Sequence, residues 1–205
     1  MHQHILLLGP PASGKGTQAR NLAAHLNVSC LGTGKLLRDE IEAGSEIGRQ
    51  AEGFMNRGAY VPDEVIMSMV GNWLDQNQSG WLLDGFPRTK PQAEALNHIQ
   101  APSIVIALDV PQEDLEFRIT KRRECTSCGA TVAVENADDE DCPVCGDGKL
   151  VSRSDDALDS FKLRYAQYTE LTQPLFDYYS DLGLLKRVDG TLKPDMVYQS
   201  ILDLL

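Results

Sequence analysis

Hydrophobic positions along the chain follow two rhythms. Short, nearly unbroken apolar runs occur at "HILLLG" (His4 to Gly9), "VSCL" (Val28 to Leu31), "GWLLDG" (Gly80 to Gly85), "SIVIALDV" (Ser103 to Val110) and "LLKRVDG" (Leu184 to Gly190). Consecutive apolar positions predict strands covered on both faces, as in a parallel sheet. Between the runs the period lengthens. Val65, Ile66, Met69, Val70, Trp73 and Leu74 recur at three- and four-residue steps and predict an amphipathic helix, with Trp73 on its core face. Leu158, Phe161, Tyr165 and Tyr168 predict a second helix from Asp155 to Tyr179, bent or ended by Pro174. Strand and helix alternate, so an α/β fold around a parallel sheet is expected. Two stretches break the alternation: residues 33–77, helical without a strand, and a cysteine-rich segment further on. Both are expected to project from the sheet as subdomains.

Composition narrows the range of functions. A chain of 205 residues can bury a sizeable core without staples. Lys and Arg number 19 against 30 Asp and Glu, a net charge of −11. Broad nucleic-acid binding needs a basic footprint and is excluded on that ground, whereas a nucleotide pocket is not, because local arginines act at short range. No apolar run approaches the ~18 residues of a membrane span. "MHQHILLLGP" reaches glycine too soon to read as a signal peptide. Five cysteines without a secretion signal fit a reducing compartment. A cytoplasmic protein without membrane or nucleic-acid partners is expected.

The first chemistry lies in "GPPASGKGT", Gly9 to Thr17, between a strand and a helix. It matches G-x-x-x-x-G-K-[ST] apart from Gly16, which separates Lys15 from Thr17. Main-chain N–H groups of such a loop approach phosphate oxygens, and the following helix offers its positive N-terminus. Lys15 reaches the terminal phosphates, and the Thr17 hydroxyl faces them or a magnesium shell. The loop argues for nucleotide binding and leaves the reaction open.

The second lies in four cysteines, Cys125 with Cys128 and Cys142 with Cys145, each pair two residues apart and the pairs thirteen apart. Paired spacing alone admits a metal site, a redox switch or a nucleic-acid-binding ribbon. Two knuckles at this separation fit tetrahedral zinc held by four thiolates, a closed and therefore structural site. Neither pair follows a strand at a helix start, which disfavours redox chemistry. The intervening "GATVAVENADDED" has no Lys or Arg, which disfavours nucleic acid. Four thiolates around Zn²⁺ carry a formal charge of about −2, so zinc and the acidic tip are expected to face away from phosphates. Val132, Val134, Val144 and Leu150 give the segment little core, and metal would supply its fold. Cys30, in an apolar run, reads as a core residue, and the four histidines show no ligand spacing.

The glycine loop is joined by "LGTGKLLR" (Leu31 to Arg38), "LLDGFPRTKPQA" (Leu82 to Ala93) and "RITKRR" (Arg118 to Arg123). Together these blocks resemble the adenylate kinase family of nucleoside monophosphate kinases, over essentially the whole chain. The resemblance implies a three-layer P-loop NTPase fold with a five-stranded parallel sheet. It places a core at 1–32, 62–121 and 154–205, a helical monophosphate-binding arm at 33–61 and a zinc-ribbon-like lid at 122–153. It implies a monomer catalysing Mg·ATP + AMP ⇌ 2 ADP, with Mg²⁺ carried by the nucleotide and structural Zn²⁺ in the lid. ATP would lie on Ala12, Ser13, Gly14, Lys15, Gly16 and Thr17, with Arg118, Arg122 and Leu192 beside it. AMP would be held by Thr33, Arg38 and the main chain of Ala59, Tyr60 and Val61. Gly85, Phe86, Pro87, Arg88 and Gln92 would complete its pocket. Lys15, Arg88, Arg122, Arg153 and Arg164 would act on the transferring group, the last two also reaching AMP. Asp84 would orient water on Mg²⁺, and Asp155 and Asp156 either hold the lid or complement a helix dipole. Thr33, Thr89 and Gln92 favour adenine over the bases of the rival UMP or CMP kinases. A non-catalytic protein binding partners through its zinc module is the alternative from another class. The chain departs from the family with Lys35 in place of an acidic residue, Gly32 in place of serine, and "GATV" (Gly129 to Val132) where the lid carries tyrosine.

Overall fold

A computed structural model describes residues 4–135 and 140–205. Its centre is a parallel sheet of β1 (His4–Leu8), β2 (Ser29–Gly32), β3 (Trp81–Asp84), β4 (Ile104–Asp109) and β8 (Leu185–Asp189), in the order β2-β3-β1-β4-β8. All five expected strands form. Side chains of a strand alternate between faces, and here both faces are apolar. Leu6, Leu8, Trp81, Leu83, Val105 and Ala107 enter one core cluster, while Ile5, Leu7, Leu82, Ile104, Ile106 and Leu108 enter another. Helices α1 (Lys15–Leu26) and α9 (Pro194–Leu202) cover the second cluster. Helices α2 (Thr33–Glu42), α3 (Glu46–Asn56), α4 (Asp63–Gln76), α5 (Lys90–Gln100) and α8 (Leu175–Asp181) supply residues to the first. Three layers result from this two-sided burial. Trp73 packs half-buried on the first cluster, as its helical period predicts.

Helices α2 and α3 stand outside the strand–helix alternation and cross so closely that a Cβ on Gly48 would lie 2.1 Å from the Glu40 main-chain oxygen. Ser45 caps α3, its hydroxyl accepting from the Gly48 N–H at 2.9 Å. Helix α6 (Gln112–Lys121) runs into a separate antiparallel sheet of β5 (Arg122–Cys125), β6 (Thr131–Ala133) and β7 (Leu150–Val151), ordered β6-β5-β7. Its small core joins Cys125, Ala130, Val134, Cys142 and Leu150. Val144, expected in that core, is exposed: the knuckle turns its side chain outward while the cysteines occupy the inside. The acidic tip expected to face away from phosphates lies in part on residues 136–139, outside the described residues; its Glu135, Glu140 and Asp141 are exposed.

The single helix expected from Asp155 to Tyr179 is three pieces. Ser154–Asp156 form a 3₁₀ turn, α7 spans Leu158–Gln167, and a π turn at Tyr168–Thr172 leads into α8. Pro174 has no N–H to donate. The ladder widens just before it, with Gln173 N–H bonded to the Tyr168 oxygen at 2.8 Å. Cys30 departs from expectation as well. It is exposed, because β2 is an edge strand and one of its faces looks into an open cleft. Partial desolvation against the cleft wall, with the charge of Asp84, pushes its thiol up to about 12.

Candidate active site

The loop from Gly9 to Gly14 connects β1 to α1 at the carboxyl end of the sheet, where open α/β sheets bind ligands. Ala12 takes a left-handed conformation at φ 66°, a strained choice for a residue with a Cβ. The first turn of α1 carries no acidic residue, leaving its positive end free for an anion. Lys15 folds back over the loop, donating to the Gly9 oxygen at 2.9 Å and the Pro10 oxygen at 2.7 Å. Burial lowers its ammonium from 10.5 to about 8; Asp84 opposes that shift, and Arg88, Arg122 and Arg164 add to it.

This loop forms one wall of a cavity of about 880 Å³. Every site residue expected from the sequence outside the cysteine cluster lines it except Phe86, Thr89 and Asp156. Phe86 is 1 % exposed, its ring drawn into the core while Gly85, Pro87 and Arg88 face the cavity. Nine basic side chains (Lys15, Arg20, Lys35, Arg38, Arg88, Arg118, Arg122, Arg153 and Arg164) line it against three acidic ones, Asp84, Glu124 and Asp155. The acidic chain thus concentrates positive charge in one cleft. Low-dielectric walls focus such a field on an anionic ligand.

Four arginines are fixed by named partners. Arg88, on the loop after β3, donates from Nε to the Gly85 oxygen at 2.8 Å, and its guanidinium lies 4.8 Å over the Tyr60 ring. Gly85 sits at φ 80°, where a Cβ would come within 2.8 Å of Thr33 Oγ1 and 3.2 Å of Arg88 Nη2. Arg122 donates from Nε to Asp156 Oδ2 at 2.8 Å and also pairs with the other carboxylate oxygen. Arg164 pairs with Asp155 and Asp156. The two acids therefore hold arginines across the base of β5. Burial works against ionisation of Asp155, but Arg164, Arg122, Arg38 and Arg153 hold its carboxyl below the ordinary value. Arg118 ties the glycine loop to the turn after β8 through the Ser13 oxygen (3.5 Å) and the Gly190 oxygen (2.8 Å). Two donors stay unused: Arg38 Nε and Arg164 Nε are buried with neither a hydrogen bond nor a carboxylate partner. Buried donors of this kind cost stability unless an anion arrives.

The opposite end of the cavity is more committed. Thr33 donates to the Gly85 oxygen at 2.8 Å and is 3 % exposed. Gln92 accepts from the Arg88 N–H and donates to Asp63 Oδ1, both at 2.7 Å, and Thr89 donates to Asp63 Oδ2 at 2.8 Å. A primary amide has two N–H groups and two lone pairs, so Gln92 retains one of each for a base edge. Ala59, Tyr60 and Val61 line this end, and the Tyr60 N–H is held by Gln167 Oε1 at 3.1 Å. Leu192, half-buried against the second core cluster, lines the far side. Asp84 Oδ2 would lie 3.3 Å from a Cβ on Gly16, which puts the carboxylate beside the loop with Thr17.

The four cysteines, Cys125, Cys128, Cys142 and Cys145, do not line the cavity. Their sulfurs all lie within 4.8 Å of one another, the only such metal-capable cluster among the described residues. Cys125 to Cys145 measures 3.6 Å and Cys128 to Cys142 3.8 Å. A tetrahedron with Zn–S of about 2.3 Å has edges near 3.8 Å, so the residues fit zinc. The Cys128 and Ser127 N–H groups both point at Cys125 Sγ at 3.4 Å. They pull its thiol down to about 6, against desolvation, and thereby favour the thiolate a metal needs.

Sequence reasoning missed several contributors, among them Glu124, the Tyr60 ring and Thr172. Glu124 sits two residues after Arg122 on β5, so strand alternation alone puts both on one face. The Tyr60 ring and Thr172 gave no local signal; they meet Arg88 only through the fold.

A parallel sheet with a glycine loop feeding a helix N-terminus, and guanidiniums converging on the space above it, defines a P-loop phosphotransferase. The sequence model of one such family, described as adenylate kinase, matches residues 7–184. A Clostridium botulinum protein named adenylate kinase is 40% identical, the match covering 98% of each chain. One from Thermodesulfovibrio yellowstonii is 41% identical over 96% of each chain. One from Archaeoglobus fulgidus is 39% identical over 97% of this chain and 95% of its own. The chain belongs to the adenylate kinase family.

Proposed function

We propose that the protein transfers the terminal phosphoryl group of Mg·ATP to AMP, reversibly, giving two ADP. The observation that carries this reading is the convergence of Lys15, Arg38, Arg88, Arg122, Arg153 and Arg164 on one cavity of about 880 Å³. An oxygen of the AMP phosphate attacks the γ-phosphorus as the bond to the β–γ bridging oxygen breaks, and the electron pair leaves with ADP. The attacking oxygen is already anionic, so no general base is assigned. Catalysis consists of alignment, charge neutralisation and exclusion of water.

The glycine loop and Lys15 would hold the ATP phosphates, with Arg118 and Leu192 toward its base. Arg38 and Arg88 would hold the AMP phosphate, and Arg122, Arg153 and Arg164 the group in transit. Thr33, Gln92 and the 59–61 main chain would surround the acceptor base. Asp84 and the Thr17 hydroxyl would orient the water shell of nucleotide-borne Mg²⁺, which neutralises developing phosphate charge. Residues 33–61 would act as the acceptor arm and 122–153 as a closing lid. Zinc on Cys125, Cys128, Cys142 and Cys145 would keep the lid folded without entering the reaction. A monomer in the cytoplasm suits this reading, since reduced thiols persist there.

A coupled assay with Mg·ATP across AMP, UMP, CMP and GMP tests it. AMP should turn over fastest; a faster rate with UMP or CMP would reassign the acceptor, and no transfer to any would refute the activity.

A further inference from the structure

One carboxylate in the cleft has no place in the mechanism above. Glu124 lies on β5, faces the cavity and is 18 % exposed at its side chain. Its Oε2 accepts from Arg38 Nη2 at 3.3 Å and forms an ion pair with Arg153 Nε. Arg38 belongs to α2, in the proposed arm; Arg153 follows β7, at the root of the proposed lid. A single oxygen therefore joins guanidiniums from opposite sides of the cleft. Among the described residues this is the one ion pair between 33–61 and 122–153. Arg153 is further oriented by its bond from Nη2 to Thr131 Oγ1 at 2.6 Å, while Arg38 Nε has no hydrogen-bond partner.

Guanidinium groups bind carboxylate and phosphate oxygens with the same planar fork. The two arginines that Glu124 engages are both assigned above to phosphate. A phosphate held by Arg38 must take a donor that Glu124 now occupies. A carboxylate left unpaired beside that phosphate would repel it, by an amount that grows as water leaves the cleft.

We propose that Glu124 is an internal stand-in for the acceptor phosphate. In the nucleotide-free protein it latches lid to arm through Arg38 and Arg153, and the incoming monophosphate displaces it from Arg38. Glu124 thus sets acceptor affinity and the resting closure of the cleft, without touching the reacting atoms. This inference rests on the reading of Arg38 as an acceptor-phosphate ligand.

The test uses Glu124→Gln and Glu124→Ala in the full chain with its metal loaded. Calorimetry with AMP alone, without turnover, should give binding roughly three- to tenfold tighter than wild type, the scale of one charge-assisted hydrogen bond released from competition. ATP binding should change much less. Small-angle X-ray scattering of the nucleotide-free variants should give a larger radius of gyration than wild type. AMP affinity unchanged or weakened in both variants overturns the proposal, as does unchanged scattering. Lower kcat at unaltered AMP affinity would instead make Glu124 an aligner of Arg153, and would also overturn it. The scattering result does not depend on activity. If wild-type protein proved inactive on AMP, the proposed function would fall while the latch could still be read.

Discussion

The Thr172 hydroxyl donates to the main-chain oxygen of Arg88 at 2.8 Å, across 84 positions of sequence. Thr172 is 4 % exposed, and its oxygen also meets the Tyr60 hydroxyl at 3.2 Å. The Tyr60 ring in turn supports the Arg88 guanidinium. The π turn between α7 and α8 thus fixes both the backbone and the side chain of Arg88, the arginine proposed to hold the acceptor phosphate. Replacing Thr172 by Val keeps the volume and removes the hydroxyl. We expect kcat to fall about tenfold, the scale of a misplaced catalytic group, with a stability loss of about 1 kcal/mol. Steady-state kinetics and a denaturant melt check both; unchanged kcat would remove Thr172 from the positioning of Arg88.

Arg88 itself should matter far more to rate than to folding. Arg88→Ala is expected to lower kcat at least about a hundredfold, as for loss of one preorganised donor to transition-state charge. Its melting temperature should stay within a few degrees of wild type. Near-normal turnover would dismiss the assigned role.

The buried ammonium of Lys15, lowered to about 8, makes nucleotide binding depend on pH. Below that value the free protein carries the charge; above it the amine is neutral. A bound triphosphate favours the charged form and raises the value again. ATP binding should therefore take up a proton at about pH 9 and release or take up almost none at pH 7. Affinity should fall above about pH 8, by up to about tenfold per unit. For folding the sign is opposite: between about 8 and 10.5 the unfolded chain binds more protons at Lys15, so stability rises with pH through that window as the penalty of burying the charge is relieved. Calorimetry in buffers of differing ionisation enthalpy measures the uptake, and its absence at pH 9 would contradict the shift.

Metal analysis of the purified protein should find about one zinc per chain, released by chelator or by Cys128→Ser. The sheet core, with clusters of its own, should keep its melting transition while the β5–β7 segment loses protection from hydrogen exchange. Four freely alkylated thiols in metal-free protein as isolated would overturn the structural site.

Where α2 crosses α3 there is no room for a side chain. Gly48→Ala should destabilise by about 1–3 kcal/mol, the usual penalty for overpacking, or more if the helices must separate. A denaturant melt reads it directly.

The strands were legible because burial on both faces leaves a sequence mark: Ile5, Leu6 and Leu7 are each 0 % exposed, as are Trp81, Leu82 and Leu83. That same rule misplaced Cys30, since an apolar run cannot reveal which strand ends at an edge. The helix break at Tyr168–Thr172 was half visible in Pro174, but a π turn has no composition of its own. Motif spacing found the glycine loop, the arginines and the cysteines, because each is tied to a local chain geometry. The contacts that aim them are different. Thr172 with Arg88, Glu124 with Arg38 and Tyr60 with Arg88 join residues remote in sequence, and only the folded chain brings them together.

The unsatisfied donors of Arg38 and Arg164 bear on how long the protein survives as well as on what it does. An empty cleft crowded with like charge favours local opening, and a protease acts on the opened chain. A polyanion that binds only the closed fold opposes this by RT ln(1 + [L]/Kd), about 2.7 kcal/mol at a hundredfold excess over Kd. Resistance to proteolysis should then track the supply of nucleotide, so that the abundance of the protein reports the pool on which it works.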